Sequence, residues 1–113
     1  YLKYHFLLVV INYDGSKHHQ GHGFQAHIGL MRPTATGSVA IIDDNPHQPP
    51  EIRFNYMVNE SDRQDMRVGV RLTRGFSLRP PLAFSVAANS CPSPEVTSDD
   101  EIDAFVRAHS ESA

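Results

Sequence analysis

Three histidines, His18, His19 and His22, lie close together in one polar stretch of the sequence. A structural or catalytic metal site needs three or four ligands in a fixed geometry, with further groups that orient them. This cluster offers imidazoles alone, on a glycine-flanked segment without a cysteine nearby. The spacing therefore favours a solvated loop over a native metal site.

The carboxylates form two groups that could serve as acid–base pairs. Asp43 and Asp44 lie in a proline-rich stretch, and the run 99–101 (Asp-Asp-Glu) lies where a helix is predicted to begin. Carboxylates at a helix N-terminus stabilise the positive end of the helix dipole. A structural role is therefore favoured over a catalytic one for both groups.

Two other residue types could bind or react. The single cysteine, Cys91, precedes Pro92 and has no nearby histidine to activate it, which disfavours a nucleophilic role. Arginines recur at helical spacing and could bind an anionic partner, although a solvated face or pairing with a neighbouring domain is the favoured interpretation. These arginines are Arg63, Arg67, Arg71 and Arg74.

His5 opens an otherwise strongly apolar segment. From the spacing alone, a hydrogen-bonded core histidine is favoured over a ligand-binding one, because buried polar groups are normally paired. The sequence contains no G-x-G-x-x-G fingerprint, phosphate-binding P-loop or nucleophile elbow. Residue chemistry by itself therefore assigns no function.

The strands that would position these residues follow from hydrophobic periodicity. Residues 4–11 are rich in β-branched and aromatic residues, and this pattern predicts a strand buried on both faces. Residues 24–31 alternate with a period of two, with Gln25, His27, Gly29 and Met31 on one face. Shorter strands are predicted at 39–42 and 52–56.

The pattern then changes to helical spacing. A helix is predicted near 60–74, with Ser61 and Gln64 at capping-box spacing and Gly75 as its stop. Met66, Gly69, Val70 and Thr73 lie on one face of it. A second helix is predicted over 98–109, where Ser98 and Glu101 form another capping box. Four strands followed by two helices predict an α+β fold with a mainly antiparallel sheet of about four strands.

Composition limits the remaining possibilities. The 113 residues suffice for one small domain or part of a larger one, and no run of ~20 apolar residues predicts a membrane span. The net charge of −3 gives no electrostatic reason to expect a nucleic-acid partner. One cysteine excludes an internal disulfide and favours a reducing, cytoplasmic setting. The start at Tyr1, without a signal sequence, predicts a middle portion of a longer polypeptide.

Several runs of residues resemble one known family, the glucose–methanol–choline (GMC) oxidoreductases, and its choline-oxidising branch in particular. Members are flavoproteins that oxidise alcohols with FAD. The resemblance covers nearly the whole chain, apart from a divergent stretch at 75–95. It rests on Tyr4-His5-Phe6-Leu7, Ile11-Asn12-Tyr13-Asp14-Gly15, Gly21-His22-Gly23-Phe24-Gln25-Ala26-His27, Met31-Arg32-Pro33-Thr34, Gly37-Ser38-Val39, the run 48–57 (Gln-Pro-Pro-Glu-Ile-Arg-Phe-Asn-Tyr-Met), Arg71-Leu72-Thr73-Arg74, and 101–107 (Glu-Ile-Asp-Ala-Phe-Val-Arg).

The resemblance implies that residues 1–113 are part of the C-terminal, substrate-binding domain, whose sheet roofs the flavin. The FAD-binding domain is then absent from this chain. The parent would use FAD to oxidise choline or a similar small alcohol, in choline's case to betaine aldehyde for glycine betaine synthesis. The isolated chain is expected to bind no cofactor and to be inactive.

His5 matches a histidine that lines the substrate pocket in choline-oxidising relatives. The resemblance thus favours a substrate-binding role for His5, with the catalytic base and the flavin supplied from outside this chain. A quaternary ammonium group also needs aromatic faces or a carboxylate. The aromatic candidates are Phe6, Phe24, Phe54 and Tyr56.

Two alternatives stay open at this point: an inactive truncated remnant of such an enzyme, and the same domain of a related FAD-dependent alcohol dehydrogenase. Removing the missing FAD-binding domain would uncover one apolar sheet face, so self-association of the isolated chain is expected. The parent is expected in the cytoplasm, and peripheral attachment to a membrane is a further option for it.

Overall fold

The computed structural model describes residues 1–9, 22–77 and 92–110, and these form an α+β arrangement with antiparallel strand pairs. The predicted fold class is therefore confirmed. The elements, in chain order, are β1 (Leu2–Leu7), β2 (Gln25–Leu30), β3 (Ser38–Ala40), β4 (Glu51–Arg53), α1 (Glu60–Ser77) and α2 (Asp99–His109).

The strands β1 and β2 pair antiparallel, in a register that places Leu2 opposite Leu30 and Leu7 opposite Gln25. One face of this sheet packs on α1, where the Tyr4 hydroxyl donates to the carbonyl of Gly69 at 3.2 Å. The prediction that the first strand is buried on both faces is wrong. The strand ends at Leu7. Phe6 on the helix-facing side and Leu7 on the opposite side are 54% and 40% exposed, so neither face of this strand is fully buried at its end.

The strands β3 and β4 form a second two-stranded sheet, in place of the single four-stranded sheet expected. Val39 lies opposite Ile52 in this pair. Gly37 precedes β3 where the two backbones approach so closely that a Cβ on it would lie 2.2 Å from the carbonyl oxygen of Arg53. A glycine is therefore required at this crossing.

Helix α1 begins at the predicted residue, but its cap and its end differ from the prediction. The carbonyl of Asn59 accepts the amide of Arg63 at 3.2 Å, so the helix begins one turn before Arg63, and Ser61 does not cap it. The helix also runs through Gly75 to Ser77. Phe76 lies edge-on to Tyr4 of β1, with ring centroids 6.0 Å apart, and this tertiary contact favours continuation past the glycine.

Helix α2 agrees with the prediction, including its capping box. The Ser98 hydroxyl accepts the amide of Glu101, whose carboxylate accepts the amide of Ser98. The core lies between α1, α2 and the helix-facing side of β2. Its buried residues are Met57, Val70, Ile102 and Val106, with Ile28, Met66, Val96 and Phe105 packed around them.

Some predictions concern residues outside the described ranges: the continuation of the first strand at Val10 and Ile11, the loop histidines His18 and His19, and Cys91. Neither of the two helices described here is long and apolar enough to cross a membrane.

Candidate functional site

His5 lies on the side of β1 that faces away from α1. Tyr4 contacts the helix and the side chains of a strand alternate, so His5 points to the opposite face. We call this side the open face, formed by Lys3, His5 and Leu7 of β1 and Gln25, His27 and Gly29 of β2. His5 is exposed, and so the expectation of a well-buried residue at this position is wrong.

The position of His5 is fixed by its neighbours on the other face. Leu2 and Ile28 contact α1 at Gly69, where a Cβ atom would lie 3.0 Å from the Ile28 methyl group and 3.4 Å from Leu2. The absence of a side chain at Gly69 lets the sheet approach the helix closely. Because a slip of one residue would turn Tyr4 and Ile28 outward, this packing also fixes the register of the open face.

The open face places a second histidine beside the first. His5 and His27 are direct Cα partners across β1 and β2. Such partners have Cβ atoms roughly 4.5–5.5 Å apart and project to the same side. Imidazole nitrogens both donate and accept hydrogen bonds, so the pair can hold a small hydroxyl-bearing molecule.

Sequence reasoning placed His27 on the polar face of its strand but did not connect it to His5. A signal was available in the sequence. Every residue pair of β1 and β2 is centred on position 16, which ends the turn-forming run Asp14-Gly15-Ser16. A hairpin folded about that midpoint would have matched the two histidines.

The arginine row of α1 is neither a solvated face nor a free anion site. Arg67 makes two hydrogen bonds to Asp103 of α2, at 2.7 and 2.6 Å, and a third to Glu60 at 2.8 Å. Arg71 pairs with Asp99 at 2.5 Å, and Arg74 donates to the carbonyls of Val96 and Ser93. The row therefore joins α1 to α2 and to the segment before it.

These contacts change the ionisation of the paired groups. Hydrogen bonds from Arg67 hold the pKa of Asp103 below its ordinary value, outweighing the opposing effect of burial. The same hydrogen bonds raise the pKa of Arg67. Both groups are therefore charged throughout the physiological range, as a permanent ion pair between the helices.

The two carboxylate groups proposed as acid–base candidates have structural roles. Asp43 accepts the backbone amide of Asn45 at 2.8 Å in an exposed turn, and this hydrogen bond lowers its pKa. Asp99 and Glu101 lie in the first turn of α2, as predicted, and Glu101 closes the capping box.

Sequence reasoning missed Asp62, a buried carboxylate in the first turn of α1. It accepts the amide of Thr34 at 2.9 Å, the amide of Ala35 at 2.9 Å and the hydroxyl of Thr34 at 2.9 Å. Burial would raise the pKa of Asp62, but these donors outweigh it and the net shift is downward. Asp62 thereby ties the segment between β2 and β3 to α1.

The aromatic candidates do not gather around His5. Phe54 and Tyr56 stack on each other after β4, with ring centroids 5.1 Å apart. Phe6 projects to the helix-facing side of β1, beside Tyr4, and Phe24 is half-buried just before β2. Within residues 1–9, 22–77 and 92–110, no group of three or more histidine, cysteine or acidic side chains could hold a metal ion.

Comparison with known proteins gives consistent matches. The family described as GMC oxidoreductase matches residues 33–113. The chain is 46% identical over 112 residues to an oxygen-dependent choline dehydrogenase of Serratia proteamaculans. Proteins of the same name from Yersinia pseudotuberculosis and Pseudomonas syringae are 45% and 46% identical over 112 residues.

These alignments cover most of this chain and little of the relatives. Each includes 99% of the chain but only 20% of the relative's length. The chain therefore spans about a fifth of the curated relatives that it matches, and four fifths of each relative has no counterpart here.

Proposed function

Because this chain belongs to the GMC oxidoreductase family, we propose that it is the substrate-binding part of an FAD-dependent choline dehydrogenase. In the parent, it would contribute to the C-terminal domain of an enzyme that oxidises choline to betaine aldehyde. The observation that carries this proposal is the identity of about 45% to choline dehydrogenases over 99% of the chain.

His5 is the residue of this chain to which we assign substrate contact. The helix-facing side of β1 provides Leu2 and Tyr4 for packing, whereas His5 is exposed on the open face and contributes nothing to the buried core. An imidazole there would hydrogen-bond the alcohol oxygen and favour its alkoxide form in the transition state.

The residues of this chain do not themselves fit an FAD-binding site. Binding of a dinucleotide's pyrophosphate requires a glycine-rich turn between a strand and a helix, and the sequence holds no G-x-G-x-x-G run. We therefore expect residues outside this chain to hold the pyrophosphate of the parent's FAD.

The direct test uses the full-length parent, purified with its flavin. We expect it to oxidise choline with a higher kcat/KM than an uncharged alkanol of similar size. The reverse preference would indicate the related alcohol dehydrogenase, and a full complement of flavin with no alcohol oxidation would indicate an inactive remnant. The isolated 113-residue chain should be colourless, and stoichiometric flavin absorbance on it would contradict the assignment.

Substitution of His5 tests the assigned contact in the same enzyme. Losing one transition-state hydrogen bond typically lowers turnover 10²–10³-fold, so His5→Ala should lose about that much while retaining its flavin. His47 lies in an exposed loop, and His47→Ala is the matched control. Near-normal turnover of His5→Ala, counted per bound flavin, would remove His5 from the site.

A further inference from the structure

His27 occupies the position directly opposite His5 on β2 and projects to the same open face. We propose that His27 is a second substrate-contacting residue, so that one alcohol molecule lies against both imidazoles. This inference rests on the proposed function, because it takes the open face to be the alcohol-binding side of the sheet.

The register is the first argument. Direct cross-strand partners have Cβ atoms roughly 4.5–5.5 Å apart and project to the same side of the sheet. A molecule hydrogen-bonded to the ring of His5 can therefore also contact the ring of His27. This proximity follows from the backbone pairing of the two residues.

The second argument comes from packing. The hydrophobic core of Met57, Val70, Ile102 and Val106 lies on the helix side of the sheet, and Ile28, the neighbour of His27, is the β2 residue packed against it. His27 is half-buried on the opposite side. His27 therefore lies outside the hydrophobic core, on the same face as His5.

The third argument is the chemistry of the surrounding face. Gln25 is half-buried beside His27 on the same face, and Lys3 is the diagonal neighbour across the strands. The described residues of this face include no acidic side chain. Such a surface suits the oxygen of the substrate better than its cationic end, so both histidines are assigned to the hydroxyl-bearing end.

The test is a double-mutant cycle in the full-length, flavin-loaded parent, run with whichever alcohol it oxidises best. His27→Ala should lower kcat/KM about tenfold or more. His27→Gln keeps a hydrogen-bonding side chain and should retain more activity than His27→Ala. Flavin content and melting temperature show whether each variant is folded, and His47→Ala again serves as the control.

The combined variant decides between a shared and an independent role. If both histidines contact one molecule, His5→Ala with His27→Ala should lose less than the product of the two single losses. Strictly multiplicative losses, or a His27→Ala enzyme of normal kcat/KM, would overturn the inference while leaving the proposed function intact. A folded parent that oxidises no alcohol would overturn the proposed function, and this inference with it.

Discussion

At Gly37, the space around a single Cα atom decides which residue is tolerated. An added Cβ would lie 2.2 Å from the carbonyl oxygen of Arg53 and 3.0 Å from that of Phe54. Both obstacles are backbone atoms, so β4 itself would have to move. We expect Gly37→Ala to destabilise this region by about 1–3 kcal/mol.

The measurement is amide hydrogen exchange of β3 and β4 in the full-length protein, together with its melting temperature. Gly29→Ala is the matched control, because no atom of the described residues lies within 4 Å of a Cβ at that position. Exchange in β3 and β4 should accelerate only in Gly37→Ala. Equal behaviour of the two variants would contradict the close approach seen at Gly37.

Asp62 is the residue whose ionisation matters most to the segment between β2 and β3. Its pKa is lowered from the ordinary value of 3.8, since the donors from Thr34 and Ala35 outweigh burial. The stabilisation is therefore complete above the pKa of the unfolded chain and is lost as the pH falls through the lower, folded-state pKa. Asp62→Asn should cost about 1.5–3 kcal/mol at neutral pH, as for hydrogen bonds to a charged group.

This prediction is checked by thermal melting of both proteins between pH 7 and pH 2. The penalty of Asp62→Asn should be constant near neutrality and should shrink below pH 4, where the wild-type carboxylate becomes protonated. The exposed Asp65 of the same helix provides the control variant Asp65→Asn. A penalty for Asp62→Asn that grows on acidification would refute the assigned direction of the pKa shift.

Residue roles were predictable from the sequence only where they depend on near neighbours. The capping function of Ser98 and Glu101 was recognised because the two residues lie within one helical turn. The pairing of Asp62 with Thr34, and of His5 with His27, joins residues more than 20 positions apart. Such contacts depend on the tertiary packing of α1 and on the strand register, which residue type does not encode locally.

At the scale of elements, the junction of α1 and α2 depends on the ion pair of Arg67 and Asp103. Their side chains are 13% and 12% exposed, so removing one partner leaves the other charge largely desolvated. Arg67→Met should therefore loosen the packing of α2, and amide exchange in α2 should become about tenfold faster. Replacing both residues, as Arg67→Met with Asp103→Leu, should restore most of the protection.

The neighbouring pair of Arg71 and Asp99 offers a control of the same chemistry at higher exposure. Its side chains are 49% and 55% exposed, and exposed ion pairs contribute little to stability. Arg71→Met should therefore change exchange in α2 far less than Arg67→Met does. Similar effects of the two substitutions would show that burial is not what gives the Arg67 pair its strength.

The existence and type of each element were predictable from the sequence. The residues at which the elements begin and end were less predictable. Helical periodicity correctly gave α2 and the buried face of α1 with Met66 and Val70. The predicted stop at Gly75 is wrong, because the contact of Phe76 with Tyr4 outweighs the low helix propensity of one glycine. Local propensity therefore gives only an approximate helix end, and tertiary contacts of this kind determine where the helix actually stops.

At the scale of the whole molecule, the four strands of the described residues divide into two small sheets that have different environments. The sheet of β1 and β2 packs on α1 and is connected to the hydrophobic core through Ile28. The sheet of β3 and β4 carries exposed apolar residues instead, with Val39 70% and Ile52 51% exposed. The periodicity of the sequence identified four strands but could not assign their partners. An alternating pattern shows which face of a strand is apolar, but it does not show which other strand pairs with it.

The apolar surface of β3 and β4 leads to a prediction about the isolated 113-residue chain. Val39 and Ile52 are direct partners on one face of this sheet, and Ile41 beyond the end of β3 is 89% exposed. Two-stranded sheets are marginally stable alone in water, and contiguous exposed apolar surface promotes association. We therefore expect the isolated chain to self-associate through this face, which the rest of the parent would otherwise cover.

Light scattering coupled to size-exclusion chromatography measures this directly over a range of concentrations. The variant Val39→Thr with Ile52→Lys should shift the isolated chain toward monomer, because it places a polar and a charged side chain at the centre of the face. Val68 of α1 is similarly exposed, at 57%, and Val68→Thr should leave the association unchanged. The prediction would be contradicted by a wild-type chain that remains monomeric at high concentration. Equal association of both variants would likewise show that β3 and β4 do not form the self-association surface.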